Sequence, residues 1–151
     1  MAVGGTVSTP IFKQDGQYLT FVVETATPVT LGQVVMLATT GTSSTPSTVS
    51  PATVGATGII GVAVSGNRVS RTATDDIVAA GDRVTVCTRG VCNCKVATET
   101  ATVGLELNVG TETGCVGNID SSSYVDLRTL VGRALQTGAK DAVIPVLLTI
   151  R

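Results

Sequence analysis

Val29-Thr30-Leu31-Gly32-Gln33-Val34-Val35-Met36-Leu37 is the stretch on which the fold turns. Its apolar run is too short for an ordinary globular helix and is rich in β-branched side chains, so Leu31 to Leu37 reads as a strand. The same grammar returns at Ala101-Thr102-Val103-Gly104-Leu105-Glu106-Leu107-Asn108-Val109. Downstream of each glycine comes a second matching pair, Ile59-Ile60-Gly61-Val62-Ala63-Val64-Ser65-Gly66 and Leu130-Val131-Gly132-Arg133-Ala134-Leu135-Gln136-Thr137-Gly138. Both lead into an acidic turn and a valine-rich strand, Asp82 to Val86 and Asp141 to Leu147. Each half then reads turn–strand, long loop, strand, turn–strand. Two such halves are expected to close one barrel and remove most exposed edges. Chance similarity in a Val/Thr/Gly-rich chain is the competing reading.

Composition extends that reading to the whole chain. Thr, Val and Ile make up 56 of the 151 residues, and such side chains suit a pleated, half-buried surface better than a helix. Only 14% of residues are charged, so the best surface helix formers are scarce, while 17 Gly and 5 Pro supply turns. The fold class is all-β: a small closed or nearly closed β-barrel with an irregular N-terminal arm and long polar loops. Residues 1–14 read as the arm, because Gly4-Gly5 and Pro10 interrupt any period, and 15–151 as a single barrel domain. Strands are expected over Gln17–Glu24, Gly58–Val64, Gly104–Val109, Leu130–Gln136 and Ala142–Ile150. Arg83–Thr88 and Val91–Thr98 are expected to form a hairpin. Thr39–Gly58 is too polar for core and reads as a surface loop. The one helical candidate is Ser121–Arg128.

The net charge of −1, with no cluster of Lys or Arg, leaves nothing to neutralise nucleic-acid phosphates or to hold a membrane surface. The longest apolar stretch, Ala142–Ile150, contains Pro145 and falls far short of the ~20 residues of a spanning helix. Met1-Ala2-Val3-Gly4-Gly5 lacks the basic segment and apolar block of a secretory signal. A chain made and kept soluble in a cytoplasm is expected. A surface of Thr and Ser rather than Lys and Glu suits a subunit covered by neighbours.

The inventory for catalysis is thin. There is no His, which removes the usual general base near neutral pH and the partner of a Ser or Cys nucleophile. The acids are scattered, and Asp75-Asp76, the one adjacent pair, diverges if extended. That pair reads as a solvated turn, with a Ca²⁺ site as the alternative. Gly61 to Gly66 lacks the Lys-Ser/Thr of a phosphate-binding loop. The chain is expected to be no enzyme and to need no cofactor or metal. Cys87, Cys92, Cys94 and Cys115 leave three readings open: buried small hydrophobes, a Cys87–Cys92 disulfide with or without Cys94–Cys115, or a four-thiolate metal site. If Arg89-Gly90 is a two-residue turn, Cys87 faces Cys92 across the hairpin, close enough for a bond.

Taken in order, several segments resemble the head-decoration, or capsid-cement, proteins of tailed phages. They are Gly32-Gln33-Val34-Val35, Ile60-Gly61-Val62-Ala63, Ala80-Gly81-Asp82-Arg83-Val84-Thr85-Val86, Gly90-Val91 with Lys95 beyond, Gly104-Leu105-Glu106-Leu107, Val131-Gly132-Arg133-Ala134-Leu135 and the final apolar strand. The 39–58 and 110–129 segments are longer than in short members, and four cysteines are no hallmark of the family. The resemblance implies a β-barrel on the outer surface of an icosahedral head, commonly a homotrimer, synthesised in the host cytoplasm and clamping neighbouring major capsid subunits. Thr6, Val7, Pro10, Ile11 and Phe12 of the arm are the expected partner-binding segment, ordering on contact. Another self-assembling β-rich subunit, from a tail, fibre or surface lattice, is the alternative.

Overall fold

Glycine and proline turns release runs of β-branched residues, and these runs become the strands. The computed structural model describes residues 15–39, 47–72, 75–119 and 127–150. Its strands are β1 (Asp15–Val23), β2 (Val29–Thr30), β3 (Val34–Thr39), β4 (Thr48–Pro51), β5 (Ile59–Gly66), β6 (Val69–Arg71), β7 (Asp76–Val78), β8 (Arg83–Lys95), β9 (Glu106–Val109), β10 (Val116–Asn118), β11 (Leu130–Ala134) and β12 (Val143–Leu148). Nine of them form one sheet in the order β1-β4-β3-β5-β8-β12-β11-β9-β10, and β1 also pairs with β8. That extra pairing closes β1, β4, β3, β5 and β8 into a five-stranded barrel, as the all-β reading requires. Strands β2, β7 and β6 make a small separate sheet.

The duplication read from the sequence is present in the hydrogen bonds. Val35 pairs with Gly61 in the first half, and Leu107 with Gly132 in the second. Leu37 faces Val49 as Val109 faces Val116, and Ala63 faces Val86 as Ala134 faces Val146. The turns match too: Gln33 N–H donates to Thr30 O at 3.1 Å, and Leu105 N–H to Thr102 O at 3.1 Å. Gly32 and Gly104 hold φ of 92° and 83° there, the left-handed region that favours glycine. Even the closing strand is repeated. In the first half β1 supplies it, with Val23 bridging Val49 in parallel; in the second the C-terminal part of β8 does, with Val96 bridging Val116 in parallel.

Each half thus forms its own ring of five strands, and the two rings do not combine into one barrel. The reason is β8, long enough to be the last strand of the first ring and the first strand of the second. Two interiors result. Val23, Val29, Val35, Val49, Ala63, Val78, Val84 and Val86 pack inside the first. The equivalent positions of the second are Val96, Ala101, Leu107, Val116, Ala134, Gly138, Ile144 and Val146. All but the glycine belong to the other apolar cluster. A five-stranded ring has a narrow interior, which explains a core of Val and Ala in a chain with only 3% aromatic residues.

Two expectations are corrected. Arg89-Gly90 is not a hairpin turn: 83–95 is one strand, whose first part pairs with β1 and β5 and whose last part pairs with β12. The strand turns a corner there, with Gly90 at φ 106° and Thr88 skipped in the β1 ladder. Each flank gains longer partners than the other flank could offer. The 39–58 segment is not all surface loop either. Thr48–Pro51 is strand β4 between β1 and β3, with Val49 fully buried; its Pro51 sits at the strand end, where a missing N–H does little harm. Of the helical candidate Ser121–Arg128, the described part holds only a 3-10 turn, Leu127–Thr129.

Candidate functional site

A concavity lies where the two rings meet. It is an open groove of about 750 Å³ whose lining includes Leu31, Gly32, Asp75, Asn93, Lys95 and Val143. The first ring contributes the Leu31-Gly32 turn and the segment carrying Asp75; the second contributes the outer faces of β8 and β12. Lys95 N–H donates to Gly32 O at 2.9 Å, which pins the turn to the strand. Lys95 Nζ meets Asp75 Oδ1 at 2.6 Å with both side chains largely sheltered. The hydrogen bond that Lys95 donates to Asp75 raises the Lys95 pKa against the opposing effect of burial.

Asp75 is committed to Lys95, and Asp76 points away to the exposed Arg71 at 3.5 Å. The two carboxylates therefore diverge as the extended backbone requires, and they do not converge on a cation. Among the described residues no group of three or more His, Cys, Asp or Glu could hold a metal ion. The other ion pairs, Arg133–Glu106 at 3.7 Å and Lys140–Glu112 at 3.5 Å, lie at the surface.

The cysteines divide into a pair and two singles. Cys87 and Cys92 are joined sulfur to sulfur across the corner of β8, with Cα atoms 6.7 Å apart. Five residues of straight strand would span roughly 16 Å, so it is the corner, not a hairpin, that brings them together. A four-thiolate site is not assembled. Cys94 and Cys115 are buried and free; burial pushes both thiols up, with the neighbouring Cys115 adding to the rise at Cys94. Both stay protonated near neutral pH and behave as small hydrophobes.

The surface offers apolar side chains. Tyr18, Leu19, Leu37, Val54, Val103, Leu105, Val143 and Leu147 are exposed. Sequence reading gave Val103 no role and placed Leu105 in the Gly104–Val109 strand. Their signal was the departure of Val103-Gly104-Leu105 from Leu31-Gly32-Gln33 in the repeat, with an apolar residue where its counterpart is polar. The arm residues Thr6, Val7, Pro10, Ile11 and Phe12 lie outside the described residues.

The fold is a pair of small β-rings that displays apolar side chains at its surface. Comparison with protein families supplies the rest: residues 2–149 match the family described as structural cement protein (E217 gp24/Pam3 gp6). The chain belongs to that family and is a structural protein of the phage virion that stabilises the capsid. Among solved structures it is similar to the head fiber gp8.5 N base of bacteriophage phi29. There the TM-score is 0.51 at 15% identity, covering 88% of this chain and 95% of that one, a likeness of fold. A search of curated proteins finds no match.

Proposed function

We propose that this protein sits on the outer surface of a phage head, as a homotrimer, and bridges neighbouring major capsid subunits without catalysing any reaction. The observation that carries the reading is the family match over nearly the whole chain. It is joined to a surface that displays apolar side chains on two rigid rings. Many shallow contacts repeated over a lattice give strong avidity even when each is weak. The 1–14 segment supplies further contact through Thr6, Val7, Pro10, Ile11 and Phe12, which reach a neighbouring subunit. Residues 15–151 form the β-barrel domain that carries this surface.

The test is co-sedimentation with expanded heads that lack the protein, followed by melting of the decorated shells. Binding at a fixed ratio to the major capsid protein and a raised shell melting temperature are expected. A chain lacking residues 1–14 should bind more weakly while its own melting temperature is unchanged. Shells that melt identically with and without the protein refute the reading.

A further inference from the structure

The junction between the two rings shows what each ring's equivalent surfaces are built to meet. In the first ring the turn Leu31-Gly32-Gln33 is covered. Gly32 O accepts from Lys95 N–H, Gln33 Nε2 donates to Thr113 O at 3.1 Å, and Val34 N–H donates to Gly114 O at 2.7 Å. A Cβ placed on Gly32 would come against Lys95 and Asn93. The second ring repeats that turn as Val103-Gly104-Leu105 with the same backbone; Val103 N–H donates to Thr137 Oγ1 at 3.0 Å, but among the described residues the contacts that Lys95 and Gly114 make to the first turn have no counterpart. A Cβ on Gly104 would meet no atom within 4 Å. Val103 is 56% exposed and Leu105 48%, although Leu105 occupies the place of the satisfied Gln33.

The complementary half of the contact is open as well. The turn of the first ring is received by Asn93, Lys95, Gly114 and Val143 of the second. Their equivalents in the first ring are Thr20, Val22, Ser47 and Arg83, by the same pairings that define the repeat. Those four residues, with Phe21, line a separate hollow of about 500 Å³. Among the described residues, one chain therefore carries an uncovered turn in its second ring and an open receiving hollow in its first. Each is a copy of a surface already engaged in the middle.

We infer that these two surfaces bind each other between molecules: the Val103-Gly104-Leu105 turn of one chain seats in the Thr20–Val22–Ser47–Arg83 hollow of a second copy. Such a contact is heterologous, joining unlike surfaces head to tail, and it closes into a ring when the rotation between molecules allows. Burial of Val103 and Leu105 supplies the apolar contribution. The inference rests on the proposed self-association of the decoration protein and gives that association its surface.

The experiment uses the whole chain and two capped variants, with mass read by light scattering after size exclusion. Val103→Asp/Leu105→Lys spoils the turn and Thr20→Trp fills the hollow. All three exchanges are at exposed positions, and circular dichroism checks that each variant keeps its strands. The wild type should run as an oligomer and each variant alone as a monomer. An equimolar mixture of the two should run as a dimer of twice the monomer mass, because one intact turn still meets one intact hollow. A monomeric wild type, or variants whose mass does not change, overturns the inference. So does a monomeric wild type whose head binding is lost on Val103→Asp/Leu105→Lys, since the turn then takes the capsid protein. Head binding by the wild type is scored separately by co-sedimentation, so failure of capsid bridging is distinguishable from failure of this contact.

Discussion

In the first ring the interior is lined by seven valines and one alanine; in the second the equivalent places hold Leu107 and Ile144 beside Ala101, Ala134 and Gly138. Two exchanges, Val35 to Leu107 and Val84 to Ile144, enlarge a side chain by one carbon each, while Val29 to Ala101 and Val78 to Gly138 reduce it by two and three. The methyl of Ile144 comes directly into the space that a side chain at Gly138 would need. The backbone ladder is nevertheless the same in both rings. Core side-chain size is therefore negotiable from ring to ring, while a few glycines and turn hydrogen bonds are not. The two rings differ most in what lies over their equivalent turns, one sealed at the junction and one open.

The sharpest way to break the equivalence is at Gly61 and Gly132. A Cβ on Gly61 would run into the carbonyl oxygen of Cys87, and one on Gly132 into that of Leu147. Backbone oxygen cannot swing aside as a side chain can. Gly61→Ala and Gly132→Ala should each cost about 3 kcal/mol, lowering the melting temperature by roughly 10 °C for a chain of this size. Gly58→Ala, where a Cβ meets open space, should leave stability nearly unchanged. Thermal melts of the three variants check this. Equal losses at the two sites support the repeat; a neutral result at either one ends it.

That pair also shows what the sequence alone could carry. Gly61 and Gly132 stand at matching places in segments aligned by eye, and the strand runs around them fix the ladder. The turns at Gly32 and Gly104 were legible for the same reason. The path of β8 was not legible. Arg89-Gly90 has the local signature of a two-residue turn, and only the long-range partners β1 and β12 decide that the chain bends and continues. β4 was hidden by its polarity: Thr48, Ser50 and Pro51 carry little apolar signal, and only Val49 faces the first interior. The open turn at Val103–Leu105 needed the other half of the molecule for comparison, because exposure is a property of neighbours and not of residue type.

The corner of β8 has no counterpart in the repeat, so it tests the asymmetry between the halves. A disulfide joining Cys87 to Cys92 closes a very short loop and should contribute about 2 kcal/mol by restricting the unfolded chain. Under denaturing, non-reducing conditions two of the four cysteines should react with a thiol reagent, and all four after reduction. Cys87→Ser/Cys92→Ser should melt at a temperature roughly 5 °C lower than the oxidised protein and should no longer respond to reductant. Four reactive thiols in the unreduced protein would show that the corner holds without the bond.

The smallest effect belongs to the junction itself. Lys95 closes the groove from the second ring, whereas its equivalent in the first ring is Val22, with no charge to offer. The Lys95–Asp75 pair at 2.6 Å is therefore a feature of the seam and not of the repeat. Because the hydrogen bond to Asp75 raises the Lys95 pKa, the folded state holds that proton more tightly than the unfolded state does. The contribution is fully present below the unfolded lysine value of about 10.4 and is lost as pH rises through the higher folded value. Partial exposure limits it to about 1 kcal/mol. Urea melts of wild type and Lys95→Met should differ by that amount at neutral pH and converge only in strongly alkaline solution. A difference that persists undiminished at high pH would mean that the lysine acts through its aliphatic stem, packed in the groove, and that charge does not join the rings.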